Sequence, residues 1–364
     1  GLSAHDFAEG ASAEEAVLSR ALKVEGAPAV ASRWWLRLES VIQGLGQQKS
    51  APAEWWQWAQ KLDAPARVLD PVRPRPMPPI DARPNKFSVT EIETLIRDPY
   101  AIYAKKILRL PVLDPLDADI AAAERGTIIH EALERFVDAF PAALPDNALE
   151  HLLEIGREVF AAAIDRPGVA AFWWPRFERI ARWIVDYERE NRVGLLRSIA
   201  EAKGEILIGE LARPVRLRGK ADRIDLRDDG TIDIVDYKTG MPPSAKQVEI
   251  GLTPQLPLEA AMAARGGFRE AKGEGAEIPA SRTSRMIYLR LSGGETAGEE
   301  RIIADPGGDL ADNTYAWLVD LLRQYESEKT PYLSRPRPMF WGRFGDYDHL
   351  ARVKEWSSAG EDGE

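Results

Sequence analysis

The chain has 364 residues, no cysteine and a formal net charge of −10, with 45% hydrophobic and 29% charged residues. That length predicts two or three folded units, and the apolar and aromatic content excludes a disordered chain. Without cysteine there is no disulfide, thiolate zinc site, cysteine nucleophile or cysteine-ligated iron–sulfur cluster. The acidic balance argues against a simple nucleic-acid coat, but not against an enzyme that is basic along one groove and acidic at a metal site. No apolar run approaches the ~18 residues of a membrane helix. The start, Gly1-Leu2-Ser3-Ala4-His5-Asp6, lacks the basic and apolar regions of a secretory signal. No membrane association and a cytoplasmic location are therefore expected.

Residues 1–63 read as helical, with an apolar and basic run at Ala16–Ala21 and tryptophans at 34, 35, 55, 56 and 58. Paired tryptophans point to core or interdomain packing before base stacking. Residues 64–86 carry prolines at 65, 71, 74, 76, 78, 79 and 84. Proline removes donors and fixes φ, so this stretch reads as an extended linker and a domain boundary. Ser88-Val89-Thr90-Glu91 is a capping box, and Ile92, Leu95 and Ile96 continue a helix that stops before Pro99. Gly126–Phe140 and Phe177–Tyr187 are further amphipathic helices. After Gly204 the period changes to two. Glu205–Gly209, Val215–Leu226 and Thr231–Tyr237 read as strands, followed by a helix from near Pro254 to Ala264. Thr283–Leu291 and Arg301–Ala304 are strands, Asp312–Ser327 a closing helix, and Ser357–Glu364 a small, acidic tail. The second unit is of mixed α/β class.

The chemistry concentrates in Gly219–Asp225 and Ile234–Gly240. Arg227-Asp228-Asp229-Gly230-Thr231 between them is a turn signal. A loop of Asp228–Gly230 pairs Arg227 with Thr231, Leu226 with Ile232 and Ile224 with Ile234, so apolar meets apolar. The same register sets Asp222 opposite Asp236, where two ionised carboxylates repel unless a divalent cation joins them. Lys238 leaves the same face as Asp236. Carboxylates that hold Mg²⁺ beside a lysine suit metal-assisted phosphodiester hydrolysis. The plain alternative is a pair of exposed strand acids, one bridged to Lys238.

His130 sits beside the apolar stripe of its helix, either as a hydrogen-bonded boundary residue or as a metal ligand facing the strands. It shares a helix face with Glu134, without the second histidine of a zinc-protease helix. Gln255 opens the helix after the hairpin. Gly44–Ser50 resembles a phosphate loop but has Gln48 where the motif needs glycine. Basic residues gather at Arg97, Lys105, Lys106 and Arg109, and at Arg213, Arg216, Arg218 and Lys220. They gather again at Arg335, Arg337 and Arg343 beside Tyr332, Phe340, Trp341, Phe344 and Tyr347. Basic residues interleaved with aromatics suit a single-strand channel; the alternative is a solvated face.

Gly126-Thr127-Ile128-Ile129-His130, the two strand segments and Gln255 stand in an order that resembles RecB-type nucleases of the PD-(D/E)xK superfamily, over residues 126–255. The flanks resemble the AddB family of helicase–nuclease proteins. Gly1–Phe7 with Val17–Ala21 is similar to the end of a helicase-like domain. Phe87–Glu93, Asp98-Pro99-Tyr100 and His349–Trp356 are similar to that family's C-terminal region.

The resemblance implies a restriction-endonuclease-like core, a central mixed sheet flanked by helices, preceded by a helical remnant of a helicase-like domain. On this basis 1–63 is the remnant, 64–86 the linker, 87–356 the nuclease and 357–364 a flexible tail of a longer polypeptide. It implies Mg²⁺, with Mn²⁺ able to substitute, held by His130, Asp222, Asp236 and the Tyr237 carbonyl. Asp222, Asp236 and Lys238 would be catalytic, and Gln255 would order the site or contact DNA. Arg223, Lys220, Arg218, Lys105 and Lys106 would be further DNA contacts.

The implied activity is hydrolysis of single-stranded DNA ends during double-strand-break repair and recombination, with AddA as partner. A non-catalytic DNA-binding scaffold and a free-standing RecB-like exonuclease are the alternatives. Two departures stand out. Many family members hold an iron–sulfur cluster, but here Asp98 stands where the first cysteine is expected and none follows. Packing by Trp341, Phe344 and Tyr347 is expected in its place. Glu259 stands where the glutamine motif often ends in tyrosine.

Overall fold

Ser88 begins the folded body as its sequence requires. Its hydroxyl accepts from the Glu91 N–H at 3.1 Å, and the Glu91 carboxylate accepts from the Ser88 N–H at 2.9 Å, a complete capping box. The computed structural model describes residues 2–24, 26–47, 53–64, 66–67, 71–113, 120–164, 169–271, 275–305, 307–337 and 345–358. The chain divides into two units, Gly1–Asp70 and Pro71–Glu364.

The first unit contains helix α1 (Leu2–Ala11), a hairpin of β1 (Lys23–Val24) and β2 (Ala27–Pro28), and helices α2 (Arg33–Gly44) and α3 (Ala53–Asp63). Ser32 caps α2, its hydroxyl accepting from the Trp35 N–H. None of the unit's described residues is buried. The tryptophans therefore form no core within it: Trp34 and Trp35 are half-buried, and Trp55, Trp56 and Trp58 are exposed. Ala16–Ala21, read as part of the helical stretch, has no regular secondary structure.

From Pro71 to Asn85 the chain is extended apart from one 3₁₀ turn at Ile80–Ala82. Prolines bring no N–H but keep their carbonyls, and these are used. Tyr332 N–H donates to the Pro76 carbonyl at 2.9 Å and Ser334 N–H to Pro74 at 3.4 Å. Arg83, 4% exposed, donates to the carbonyls of Pro78, Tyr325, Ser327 and Glu328. Residues 71–85 are thus an integral part of the second unit.

That unit contains β3 (Lys86–Ser88), α4 (Val89–Arg97), α5 (Pro99–Ile102), α6 (Ile120–Ala139), α7 (Ala148–Ile164) and α8 (Trp174–Asn191). Then follow β4 (Leu195–Ile208), β5 (Val215–Arg227), β6 (Ile232–Lys238), α9 (Ala245–Glu249) and α10 (Gln255–Ala264). The last elements are β7 (Phe268–Arg269), β8 (Thr283–Leu291), β9 (Gly298–Ile303), α11 (Leu310–Gln324) and α12 (Val353–Ser358). α12 takes in the first two residues of the expected tail; 359–364 lie outside the described residues.

The strands form one mixed sheet in the order β7-β4-β5-β6-β8-β9, with β3 added in parallel to β5. β4, β5 and β6 are antiparallel neighbours, β6 and β8 run parallel, and β9 returns antiparallel to β8. Helices cover both faces. Ile232 and Ile234 of β6 share one core with Ile92 of α4, Leu258 of α10 and Leu318 of α11. Val235 and Tyr237 share the other with Leu133 of α6, Leu152 of α7 and Ile184 of α8. A strand buried on both faces reads as a continuous apolar run, which is why β6 is so legible.

One irregularity matters for the site. Along β5 the residues that join the first core are Val215, Leu217 and Ala221, and then Ile224. The step of three breaks the period of two at Asp222 and Arg223. On β4 the same core holds Ile199, Ala202 and Ile206. Glu201 lies in that break at φ 55°, the left-handed region that costs a non-glycine residue about 1–3 kcal/mol. Ala200 pairs with Arg223 and Ala202 with Ala221, so Glu201 stands across from Asp222. Strain of this kind gathers at functional sites.

Candidate active site

The β5–β6 ladder runs Leu226↔Ile232, Asp225↔Asp233, Ile224↔Ile234 and Arg223↔Val235. The next rung would set Asp222 against Asp236. There a side chain replaces the backbone bond: Tyr237 N–H donates to Asp222 Oδ2 at 2.9 Å. The Tyr237 ring is buried in the second core, so the residue's link to Asp222 is through its backbone. His130 Nδ1, on α6, lies 3.5 Å from the same Asp222 oxygen.

Asp236 points to the α10 side. Lys238 Nζ donates to its Oδ1 at 2.9 Å and lies 2.7 Å from its Oδ2. Gln255, the first residue of α10, donates from Nε2 to Asp236 Oδ1 at 2.6 Å and accepts from Lys238 Nζ at 3.3 Å. α10 reaches this position because two glycines clear its path. Gly204 and Gly219 pair across β4 and β5, and a Cβ on them would come within 2.6 and 3.2 Å of the Met262 methyl.

Electrostatics follow from burial and like charge. Burial pushes the Asp236 carboxyl up to about 6, with Lys238 pulling it back and Asp222 adding to the rise. Burial would lower the His130 imidazole, but its bond to Asp222 and the charges of Asp222 and Asp236 raise it above the ordinary value. Lys238 is likewise raised, the carboxylates outweighing its burial. Glu259, one turn along α10, is held well above the carboxylate range by burial and then by Asp236 and Asp222.

His130, Glu201 and Asp222 offer ligand atoms that all lie within 4.8 Å of one another. One imidazole nitrogen and two carboxylates suit a hard or borderline divalent ion. The three residues line an open cleft of about 660 Å³ together with Thr127, Glu134 and Lys220. The expected His130 and Asp222 are thus brought together, Asp236 and Lys238 follow on the α10 side, and Glu201 joins them. Periodicity starts the first strand at Glu205, which leaves Glu201 outside it. The signal lay in the register: in a strand paired antiparallel to β5, the residue facing Asp222 is an acid.

The expected DNA contacts divide. Arg223 is a correction. It is 2% exposed, and its guanidinium is spent on Asp225 at 2.6 and 2.8 Å and on Glu188. A buried arginine bonded to two carboxylates does not meet a phosphate. The break in β5 turned it inward. Lys220 pairs with Glu201 and Arg218 with Glu205 at 2.6 Å, both largely in solvent. Lys105 and Lys106 both reach Glu91, at 3.6 and 2.8 Å. Gln255 faces Asp236 and Lys238.

The late basic and aromatic cluster is also corrected for its described members. Tyr332 and Tyr347 are buried, and the Tyr347 hydroxyl donates to the Leu110 carbonyl at 2.7 Å. Arg335 bonds Asp348, and Arg337 donates to the Ile96 carbonyl at 2.9 Å. These groups bind the protein to itself. Phe340, Trp341, Arg343 and Phe344 lie outside the described residues. The site expected for a cluster cysteine is filled by polar bonds: Asp98 accepts from the Arg335 N–H at 3.0 Å.

The model of the PD-(D/E)XK nuclease superfamily matches residues 86–337, a span that holds every one of these site residues. The chain belongs to this superfamily. It is 34% identical over 185 residues to an uncharacterized protein of Rickettsia bellii, covering 51% of this chain and 22% of that protein. A second uncharacterized protein, from Rickettsia felis, is 29% identical over 375 residues, covering 93% of this chain and 43% of its own length. An ATP-dependent helicase/deoxyribonuclease subunit of Streptococcus mutans is 25% identical over 196 residues, covering 49% of this chain and 16% of that protein. The chain thus spans less than half the length of each of these relatives. Among the described residues no helix is long and apolar enough to cross a membrane.

Proposed function

We propose that this chain carries a metal-dependent deoxyribonuclease that hydrolyses phosphodiester bonds at single-stranded DNA ends. The observation that carries the reading is Lys238 bonded to Asp236 next to the His130–Glu201–Asp222 cluster. Those acids and His130, with the Tyr237 carbonyl, are the groups that would hold Mg²⁺ or Mn²⁺. Bound there, the ion supplies Lewis acidity and lowers the pKa of a water molecule. His130 must give up its proton to serve as a ligand, and its raised basicity makes that step pH-dependent. Lys238 holds a positive charge at the site, fixed by Asp236, where it can stabilise charge that develops on phosphate oxygens. Arg216, Arg218 and Lys220 alternate along β5 toward Asp222 and offer a row of cations to a strand's phosphates.

The relative named as a helicase/deoxyribonuclease subunit supports a place for this nuclease in an AddAB-type assembly that processes double-strand breaks in the cytoplasm, with AddA as partner. Residues 1–63 would then be the end of a helicase-like domain, 64–86 its connection, and 87–356 the nuclease, followed by a tail. The test is cleavage of a labelled single-stranded oligonucleotide with Mg²⁺, with EDTA, and by Asp236→Ala. Cleavage that survives both EDTA and the substitution rejects the reading. Binding without cleavage by the unaltered protein, with AddA and ATP present, would identify a scaffold instead.

A further inference from the structure

Helix α10 is buried from Leu256 to Ala263 and carries one charged side chain, Glu259. Glu259 is 2% exposed, and its Oε2 has no hydrogen-bond partner. Its other oxygen accepts from Gln255 Nε2 at 3.3 Å, one helical turn back. A lone acid inside an apolar helix is costly, and packing alone would favour a leucine there. Glu259 therefore calls for a role in the site.

We propose that Glu259 is a positioning residue, which acts through Gln255 to keep the Lys238 ammonium aimed at the site. This rests on the nuclease reading above. The Gln255 carboxamide has one donating and one accepting end, and the two ends meet different partners. Nε2 faces Asp236 Oδ1 at 2.6 Å and Glu259 Oε1 at 3.3 Å. Oε1 faces Lys238 Nζ at 3.3 Å. Turned over, the amide would set its oxygen against the Asp236 carboxylate and its NH₂ against an ammonium. Asp236 alone selects the orientation from one side. Glu259 accepts the second N–H of that amide and stops it from rotating about its own bond to Asp236. With the amide held, Lys238 has a second fixed acceptor besides Asp236, and its three N–H bonds are oriented. Glu259 itself touches neither Asp236 nor Lys238 by a hydrogen bond, so its influence on the reaction passes through Gln255.

The test compares Glu259→Leu, Glu259→Gln, Gln255→Ala and the double variant Gln255→Ala/Glu259→Leu, each checked by thermal melting. One readout is kcat and KM for Mg²⁺-dependent cleavage of a single-stranded oligonucleotide. The other needs no activity: the rate at which acetic anhydride modifies Lys238, followed by mass spectrometry. Glu259→Leu is expected to lower kcat by about tenfold or more with KM changed less than about twofold. Glu259→Gln keeps an accepting oxygen and should recover kcat to within about threefold. In the Gln255→Ala background the leucine change should add less than about twofold, the mark of action through one shared residue. Lys238 should be modified about twofold faster or more in Glu259→Leu and Gln255→Ala, and at the normal rate in Glu259→Gln. Effects of the two sites that multiply, a glutamine variant as impaired as the leucine one, or unchanged Lys238 reactivity would each overturn the proposal. Absence of cleavage by the unaltered protein would reject the nuclease reading, while the modification rates still decide the role of Glu259.

Discussion

Lys238 Nζ stands 2.9 and 2.7 Å from the two carboxylate oxygens of Asp236, two residues earlier on the same strand. Asp236 is buried, whereas about a third of Lys238 reaches solvent. The pair is therefore asymmetric, and loss of the lysine leaves a buried acid without its counter-charge. Lys238→Met should destabilise the protein by about 2 kcal/mol at pH 8, below the ~3–5 kcal/mol of fully buried pairs because solvent reaches the lysine. Burial already raises Asp236 to about 6, and without Lys238 it rises further. A raised carboxyl pKa gives stability that is full at low pH and lost as pH rises through it. The penalty should therefore shrink at pH 5, where Asp236 takes up a proton. Urea denaturation at the two pH values measures this, and an equal penalty at both contradicts it.

Metal binding should show the same titration. Asp236 is raised to about 6 and His130 above its ordinary value, and both must be unprotonated to serve an ion. Mn²⁺ at a hundredfold excess over its dissociation constant should stabilise by about 2.7 kcal/mol at pH 8. At pH 5.5 the stabilisation should nearly vanish. Glu201→Gln should weaken it at pH 8. Thermal melts with and without Mn²⁺ provide the check, and equal shifts at both pH values would refute the ligand assignment.

Arg223 and Lys220 lie three residues apart on β5 and should behave oppositely. Arg223→Ala leaves Asp225 buried without its cation and Glu188 with Arg192 alone, and should cost about 3 kcal/mol. Lys220→Ala, at an exposed position, should change stability by less than about 0.5 kcal/mol. It should also reduce the salt dependence of single-strand binding by about 0.7 in the log–log slope. Denaturation and fluorescence anisotropy at several salt concentrations separate the two. A stable Arg223→Ala that loses only DNA affinity would return that residue to the nucleic-acid surface.

The C-terminal stretch is held by a polar clamp. Arg335, buried and at φ 44°, bonds Asp348 through its guanidinium and Asp98 through its N–H. Asp348 also accepts from the Gly345 N–H at 2.7 Å. Asp348→Asn removes the charge on one side and should cost about 2 kcal/mol. Limited proteolysis should then cut after residue 330 earlier than in the unaltered protein. Unchanged cleavage kinetics would show that apolar packing, such as that of Tyr347 against α5, holds this stretch instead.

Local signals carried much of this molecule. The capping box at Ser88, the stripe of Ile129, Leu133 and Phe136, and the turn at Asp228–Gly230 each depend on residues a few positions apart, so they are legible without the fold. The hairpin register was legible for the same reason: apolar residues at a period of two admit only one pairing. Gln255 and Glu259, one turn apart, could be read as neighbours on one helix.

Glu201 and Arg223 were decided elsewhere. Ser198–Ala202 is buried throughout, so it shows no alternation to mark it as a strand, and its pairing with β5 spans some twenty residues of chain. The break in β5 moves Arg223 into a core completed by Glu188 of α8, a residue thirty-five positions away. The sequence alone determined which acids, lysine and histidine exist and how the hairpin aligns them. Only the tertiary structure decided which acid completes the cluster and which arginine is withdrawn from solvent. The reason is that strand bends and helix packing set side-chain direction through contacts far apart in the chain.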